Sequence, residues 1–167
     1  LGYDGHMKDL SLLEISRESF ICQDLTEPIA NPERFDIAIC LEVAEHLPAE
    51  SAKTLVDSIC LLSDFILFSA AIPGQGGLHH LNEQWQEYWV EHFNVKGYKA
   101  IDYIRPRIWN DSNIQFWYKQ NILLFAKKEK YKELKILKDN FFNPNLVHPD
   151  LYAYKYQMDE SQKKFNL

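Results

Sequence analysis

Two periods organise the apolar positions of this chain. Short apolar runs stand at residues 19–23 (SFICQ), 37–41 (IAICL), 65–70 (FILFSA), 98–104 (YKAIDYI) and 121–127 (NILLFAK). They read as strands, and the unbroken 37–41 run reads as one covered on both faces. Between them, apolar residues recur at helical spacing. Ala52, Leu55, Val56, Ile59 and Leu62 follow Pro48 and predict a helix to about Ser63; Trp85, Tyr88, Trp89 and Phe93 lie between Asn82, a candidate N-cap, and Gly97, a candidate stop. The aromatic set at that spacing reads as core packing. The opening LGYDG reads as the end of a further strand turning at Asp4-Gly5, as though the domain began earlier. Strands alternating with helices predict an α/β domain with a largely parallel sheet.

Pro73, Gly74, Gly76 and Gly77 mark a loop after the 65–70 run. From Lys128 to Lys138 charged residues surround Tyr131, Leu134 and Leu137, which predicts a solvated amphipathic helix. The tyrosine-rich remainder has no clear periodicity and reads as an appendage that packs on the domain or on a partner. The domain is therefore expected over residues 1–128, with a helical or irregular extension over 129–167.

Composition narrows the class. At 167 residues with 46% apolar and 14% aromatic content, one packed domain is expected. A formal charge of −6 argues against a nucleic-acid backbone as partner and favours a small molecule. Cys22, Cys40 and Cys60 are odd in number and set in apolar contexts, so they read as buried thiols of a reducing compartment, with a cytoplasmic, non-membrane protein as the expectation.

Candidate chemistry gathers where the 37–41 run ends. Glu42, Glu45 and His46 stand just past it, at the carboxyl end of a strand, where open α/β sheets bind ligands. Their spacing of three and four brings them onto one side of a turn. As a metal site they suit a magnesium- or manganese-like ion. In the plainer reading, which we adopt, no metal is assigned: Glu42 lines a cofactor pocket, Glu45 caps a helix and His46 is structural. Asp4 can accept two hydrogen bonds from a diol, or simply form a turn before Gly5. Asp24 can accept from an exocyclic amine beside the apolar Leu25, or form an Asx turn. His79 and His80 lie in the glycine-rich loop, and a neutral imidazole there can accept a proton. Arg105, Arg107, Trp109 and Tyr118 offer cationic and aromatic contacts to a substrate, or a solvated strand end. Gln120 and Asn121 can hold that loop through backbone hydrogen bonds.

These residues resemble the class I S-adenosylmethionine-dependent methyltransferases from Tyr3 to about Lys127, in GYDG, CQDLTEP and ICLEVAEHL. SAAIPGQGGLHHLNEQWQEYW, RPRIW and WYKQN are similar to segments of a narrower subgroup of small bacterial-type members. The resemblance implies a Rossmann-like sheet with flanking helices, and S-adenosylmethionine as cofactor. It implies a ribose contact at Asp4 beside Gly5, an adenine contact at Asp24 and Leu25, and a methionine-moiety contact at Leu41 and Glu42. His80 is the candidate base, and Arg107, Trp109 and Tyr118 are the candidate substrate residues. The implied reaction is methyl transfer to oxygen or nitrogen of a small molecule. The family's first strand and glycine-rich turn are absent from these residues, and that strand lies between the second and fourth. An open sheet lacking it invites pairing with another chain, including a second copy. The alternatives are a noncatalytic module that keeps the fold for a protein contact, and a nicotinamide oxidoreductase with an acidic strand tip.

Overall fold

The structure, a computed structural model, describes residues 1–5, 10–30, 33–134 and 143–165. Among these residues, six strands form two sheets. β1 (Gly2–Asp4) and β2 (Phe20–Cys22) pair in parallel, with Asp4 opposite Cys22. The second sheet has the order β3 (Ala38–Leu41), β4 (Phe65–Ser69), β6 (Leu123–Lys127), β5 (Tyr98–Ile101). β3 and β4 are parallel, while β6 runs antiparallel to both of its neighbours. The sheet is thus mixed, because the chain returns from β5 into the adjacent position instead of crossing over a face. Among the described residues no strand joins the two sheets.

The helices flank this frame. A 3₁₀ turn at Ala49–Ser51 leads into α1 (Ala52–Leu62), whose predicted stripe of Ala52, Leu55, Val56, Ile59 and Leu62 is buried throughout. α2 (Gln86–Val95) buries Trp89 and Phe93. Phe93 stacks on Phe125 of β6 at 4.0 Å, and both meet Phe68 of β4 edge-on, so Trp89 and Phe93 fill the core as expected, while Tyr88 is half-buried and Trp85, before the helix, is exposed. Gly97, with φ +83, takes the left-handed conformation that stops α2. Tyr98 then ties β5 to the end of α1, its hydroxyl lying within hydrogen-bond distance of the Cys60 and Ser63 carbonyls.

Several expectations need correction. Asn82 does not cap α2. It is buried four residues earlier, its amide nitrogen donates to the Glu45 carbonyl, and the helix begins after Trp85 without a side-chain cap. β3 is not covered on both faces: it is an edge strand, and Ile39 remains 64% exposed. Cys22 is exposed on β2, while Cys40 and Cys60 are buried; all three are free thiols. Residues 102–104 are not strand, and RPRI forms a short helix, α3 (Arg105–Ile108), followed by α4 (Phe116–Asn121). The charged helix is α5 (Lys128–Glu133); its predicted continuation over 135–138 lies outside the described residues.

The expected appendage is partly a helix, α6 (Pro149–Phe165), attached to the domain. Leu151 is buried, and Lys119 of α4 reaches Asp150 at 3.0 Å. The principal clamp is Arg105, which is fully buried. It makes a bidentate pair with Asp102 at 2.9 and 2.7 Å and donates to the carbonyls of Gln120, Asn143 and Pro144. Its guanidinium is therefore spent inside the protein and does not await a substrate. No described helix is long and apolar enough to cross a membrane.

Replacing Arg105 by Met leaves Asp102, whose side chain is 11% exposed, without its counter-charge. The expected cost is about 3–5 kcal/mol, the range for removing one partner of a buried pair. Urea denaturation measures it. Proteolysis of residues 143–165 should accelerate in parallel; unchanged stability and unchanged cleavage would contradict the clamp.

Candidate functional site

The carboxyl end of β3 turns sharply. Glu42 has φ +53, a conformation that costs a non-glycine residue energy and persists only where the surroundings impose it. Here they do. The Glu42 amide donates to the Ser69 carbonyl at 3.0 Å, and its carboxylate accepts from Asn121 at 3.2 Å and Gln75 at 3.4 Å. The next residues form a 3₁₀ turn at Ala44–His46, and the Glu45 carbonyl accepts the amides of Leu81 and Asn82 at 2.7 and 3.0 Å. This brings the glycine-rich loop, more than thirty residues onward, against the end of β3.

The loop is stapled by Glu83. One carboxylate oxygen accepts the Gly74 amide and the other the Gly76 amide, both at 2.7 Å. Gly74 and Gly76 have φ +78 and +74, which side chains rarely adopt, so the two glycines let both amides point at one carboxylate. The second oxygen also lies 2.9 Å from His80 Nδ1. Burial opposes ionisation of Glu83, but His80 and the two amides outweigh it and hold its carboxyl below the usual range.

The result is a cavity of about 460 Å³ with a polar floor of Glu42, Glu45, His46 and His80. Phe116 and Trp117 of α4 and Tyr154 of α6 form an aromatic wall. Glu45 is the unusual member. It is fully buried, and among the described residues its carboxylate oxygens complete no well-formed hydrogen bond, the backbone amides of Ala71 and of Glu45 itself giving only partial relief. It does not cap a helix. Burial, and next the negative Glu42, push its pKa up to about 8. His46 and His80 meet edge to face with ring centroids 4.9 Å apart, and His46 Nδ1 lies 3.3 Å from the His79 carbonyl. His79 is the second described non-glycine residue with positive φ, at +59. Both strained positions thus flank this cavity.

The other candidates separate. Asp4 is exposed at the tip of β1, and its carbonyl accepts the Gln23 amide beyond β2. A Cβ on Gly5 would lie 3.3 Å from the Gln23 carbonyl, so glycine permits the close approach of the two strand tips. Asp24 forms the Asx turn weighed above, one oxygen accepting the Thr26 amide at 2.9 Å and hydroxyl at 2.7 Å. Leu25 lines a second, apolar groove of about 340 Å³ between the two sheets, walled by Tyr3 of β1, Ile39 of β3 and Leu55 of α1. The candidate cofactor residues therefore do not share one cavity: Leu25 faces the groove and Glu42 the polar cavity, with Leu41 and Cys40 of β3 between them in sequence.

Arg107, Trp109 and Tyr118 line neither space. Arg107 lies over the Tyr103 ring at 3.6 Å, and the Trp109 carbonyl accepts from His148 Nε2 at 2.8 Å, which makes these contacts internal. Gln120 and Asn121 act mainly through side chains, in a buried amide network with Gln75 and Gln86. Sequence reasoning left Glu83, Phe116, Trp117 and Tyr154 out of the site. Glu83 had one available signal, its spacing of three from His80; the aromatic wall had none, since α4 and α6 converge only in space.

No protein-family model matches the chain, and no curated protein matches it. Solved structures similar to it include a magnesium protoporphyrin IX methyltransferase from Synechocystis PCC 6803 with bound SAH. That match has a TM-score of 0.46 and 17% identity, over 65% of this chain and 50% of the other. The methyltransferase domain of bacterial CtHen1-C gives 0.44 and 17%, over 65% and 60%. LepI in complex with SAH and a substrate analogue gives 0.45 and 14%, over 70% and 32%. The chain thus spans between about a third and three fifths of the length of these proteins.

The raised Glu45 pKa carries a stability consequence. In EDTA-treated buffer the folded chain retains a proton that an ordinary, unfolded carboxylate has lost. The contribution is complete below the usual carboxylate pKa and is lost as pH rises toward about 8. Glu45→Gln removes that loss. Its melting temperature should match the parent's at about pH 4 and exceed it by several degrees at about pH 8.5. Circular dichroism melts across this range measure the difference, and a gap that does not grow with pH would overturn the reading.

Proposed function

We propose that the chain is a methyltransferase domain that uses S-adenosylmethionine to methylate an oxygen or nitrogen of a small-molecule acceptor. The observation that carries the reading is the arrangement of strand tips. Two parallel strands bring Asp4 and Asp24 together at their carboxyl ends, and β3 ends at a Glu42 fixed by Asn121, Gln75 and Ser69. Those are the positions at which the sequence resembles the family's ribose, adenine and methionine contacts. In this reading Asp4, Gly5, Asp24, Leu25, Leu41 and Glu42 hold the cofactor.

Methyl transfer is an in-line displacement. The acceptor's lone pair forms a bond to the methyl carbon, the carbon–sulfur bond breaks with its electrons going to sulfur, and the acceptor's proton must leave. His80 is the candidate acceptor of that proton. Its Nδ1 faces Glu83, and a carboxylate there favours the tautomer protonated at Nδ1, which leaves the Nε2 lone pair available. Phe116 and Trp117 supply the apolar wall against which a small acceptor packs, better situated than Arg107, Trp109 or Tyr118. Much of the rate enhancement then comes from holding nucleophile, methyl and sulfur in line.

Calorimetric titration with S-adenosylhomocysteine tests the reading, with NAD as the control. Saturable binding of the homocysteine product and none of NAD is expected. Asp4→Asn should weaken binding roughly ten- to a hundredfold, as for a hydrogen bond to a charged group worth about 1.5–3 kcal/mol. No binding of S-adenosylhomocysteine would overturn the proposal, and binding of NAD alone would favour an oxidoreductase.

A further inference from the structure

We infer that Glu45, His46 and His80 form a binding site for a divalent first-row transition-metal ion. One donor atom from each residue lies within 4.8 Å of the other two. Metal–nitrogen and metal–oxygen bonds of roughly 2.0–2.2 Å allow donors on opposite sides of an ion to stand little more than 4 Å apart. Closing this set around an ion therefore needs only small side-chain rotations.

Three further features point to a ligand. The first is Glu45 itself, fully buried and lining the cavity, with no well-formed hydrogen bond to either carboxylate oxygen among the described residues. A buried carboxylate in that state needs a proton or a cation, and the charge that acts on it, that of Glu42, is negative. The second is the orientation of the imidazoles. His80 Nδ1 is directed at the Glu83 carboxylate and His46 Nδ1 at the His79 carbonyl, the outer-shell pattern that fixes tautomer and ring orientation in metal-bound histidines. Each ring is left with Nε2 as its ligand atom. The third is Gly77. A Cβ there would fall 2.3 Å from His80 Nε2, so the chain carries no side chain where that nitrogen must stay accessible.

The donor set selects the ion. Two imidazoles with one carboxylate suit manganese, cobalt, iron or zinc better than magnesium or calcium, which prefer oxygen alone. Glu42, in the same cavity, adds negative charge while its oxygens stay engaged by Asn121 and Gln75. The site rests on this geometry and not on the methyl-transfer reading. It does reassign His80, whose Nε2 lone pair would hold the ion instead of accepting a proton.

Cobalt(II) alone is the probe, titrated into EDTA-stripped protein and followed by its visible absorption and by calorimetry. One ion per chain is expected. Glu45→Gln, His46→Asn and His80→Asn should each weaken uptake more than tenfold, and Glu83→Gln by roughly ten- to a hundredfold. Gly77→Ala keeps every ligand and should still weaken uptake by displacing the His80 ring. His92→Asn, on α2 and outside the cavity, should bind as the parent does. Glu45→Gln is isosteric and keeps the fold, so its loss of uptake would report on the site; a melting temperature raised by cobalt in the parent and not in this variant gives a second reading. No saturable uptake by the parent overturns the inference, as does uptake unchanged in both Glu45→Gln and His80→Asn. Cobalt uptake and S-adenosylhomocysteine binding succeed or fail separately, so a failure of one proposal is distinguishable from a failure of the other.

Discussion

A single buried network of side-chain amides holds together the parts that matter. Asn121 donates to Glu42 and to Gln75, and its oxygen accepts from Gln86 and Gln120; Gln120 in turn accepts the His148 amide. Those partners come from the end of β3, the glycine-rich loop, α2, α4 and the segment before α6. All but Glu42 are buried, where an unsatisfied amide would cost about 1–3 kcal/mol. Each element is therefore held at the site by groups that cannot separate cheaply. A buried network of this kind, in which only the Gln86 Oε1 lacks a hydrogen bond, fixes geometry more than it adds stability, and geometry is what the strained Glu42 backbone requires.

That constraint explains the concentration of charge beside it. Two carboxylates, Glu42 and Glu45, lie close together beyond the end of an edge strand in an acidic protein. Repulsion alone would drive them apart. The network fixes Glu42 from one side, and the Leu81 and Asn82 amides fix the Glu45 backbone from the other. The pair is thereby held closer than it would relax to, and a proton or cation is the natural third member. Cys40, directly behind on β3, feels the same field: burial first, then Glu45 and Glu42, push its thiol up to about 12, so it remains an inert neutral group.

Much of the frame was legible in the sequence because it rests on local pattern. The apolar runs placed β2, β3, β4 and β6, and the stripe from Ala52 to Leu62 placed α1, since one-sided burial leaves a periodic trace. The resemblance drew the candidate cofactor residues from strand tips, which follow from strand position. What failed was long-range. Nothing in the spacing of Glu45 and His46 says that His80 returns to them, because that contact is made by the Glu45 carbonyl and two backbone amides. Arg105 read as a surface cation because its partners Asn143 and Pro144 are distant in sequence. The tail showed no period because, among the described side chains of α6 at residues 149–158, only Leu151 is buried, too little for a stripe to show.

The tail nevertheless completes the cavity. Tyr154 of α6 packs near Phe116 with ring centroids 5.7 Å apart, and Lys155 Nζ stands where a Cβ on Gly76 would come within 2.9 Å. The wall opposite the carboxylates thus takes one of its three aromatic rings from the segment with the weakest sequence pattern. Its attachment runs through Lys119–Asp150, through His148 on Gln120, and through Arg105 on the carbonyls of Asn143 and Pro144. The first of these is half open to water, Asp150 being 56% exposed, and so is worth little by itself. The His148 bond is buried, the Arg105 bonds to residues 143 and 144 are partly buried, and Arg105 and His148 both bond Gln120, which belongs to the amide network. The cavity's floor and its far wall are therefore positioned by one set of bonds. A change that loosens α6 alters the site from a distance, by moving the aromatic wall relative to carboxylates that stay fixed on β3.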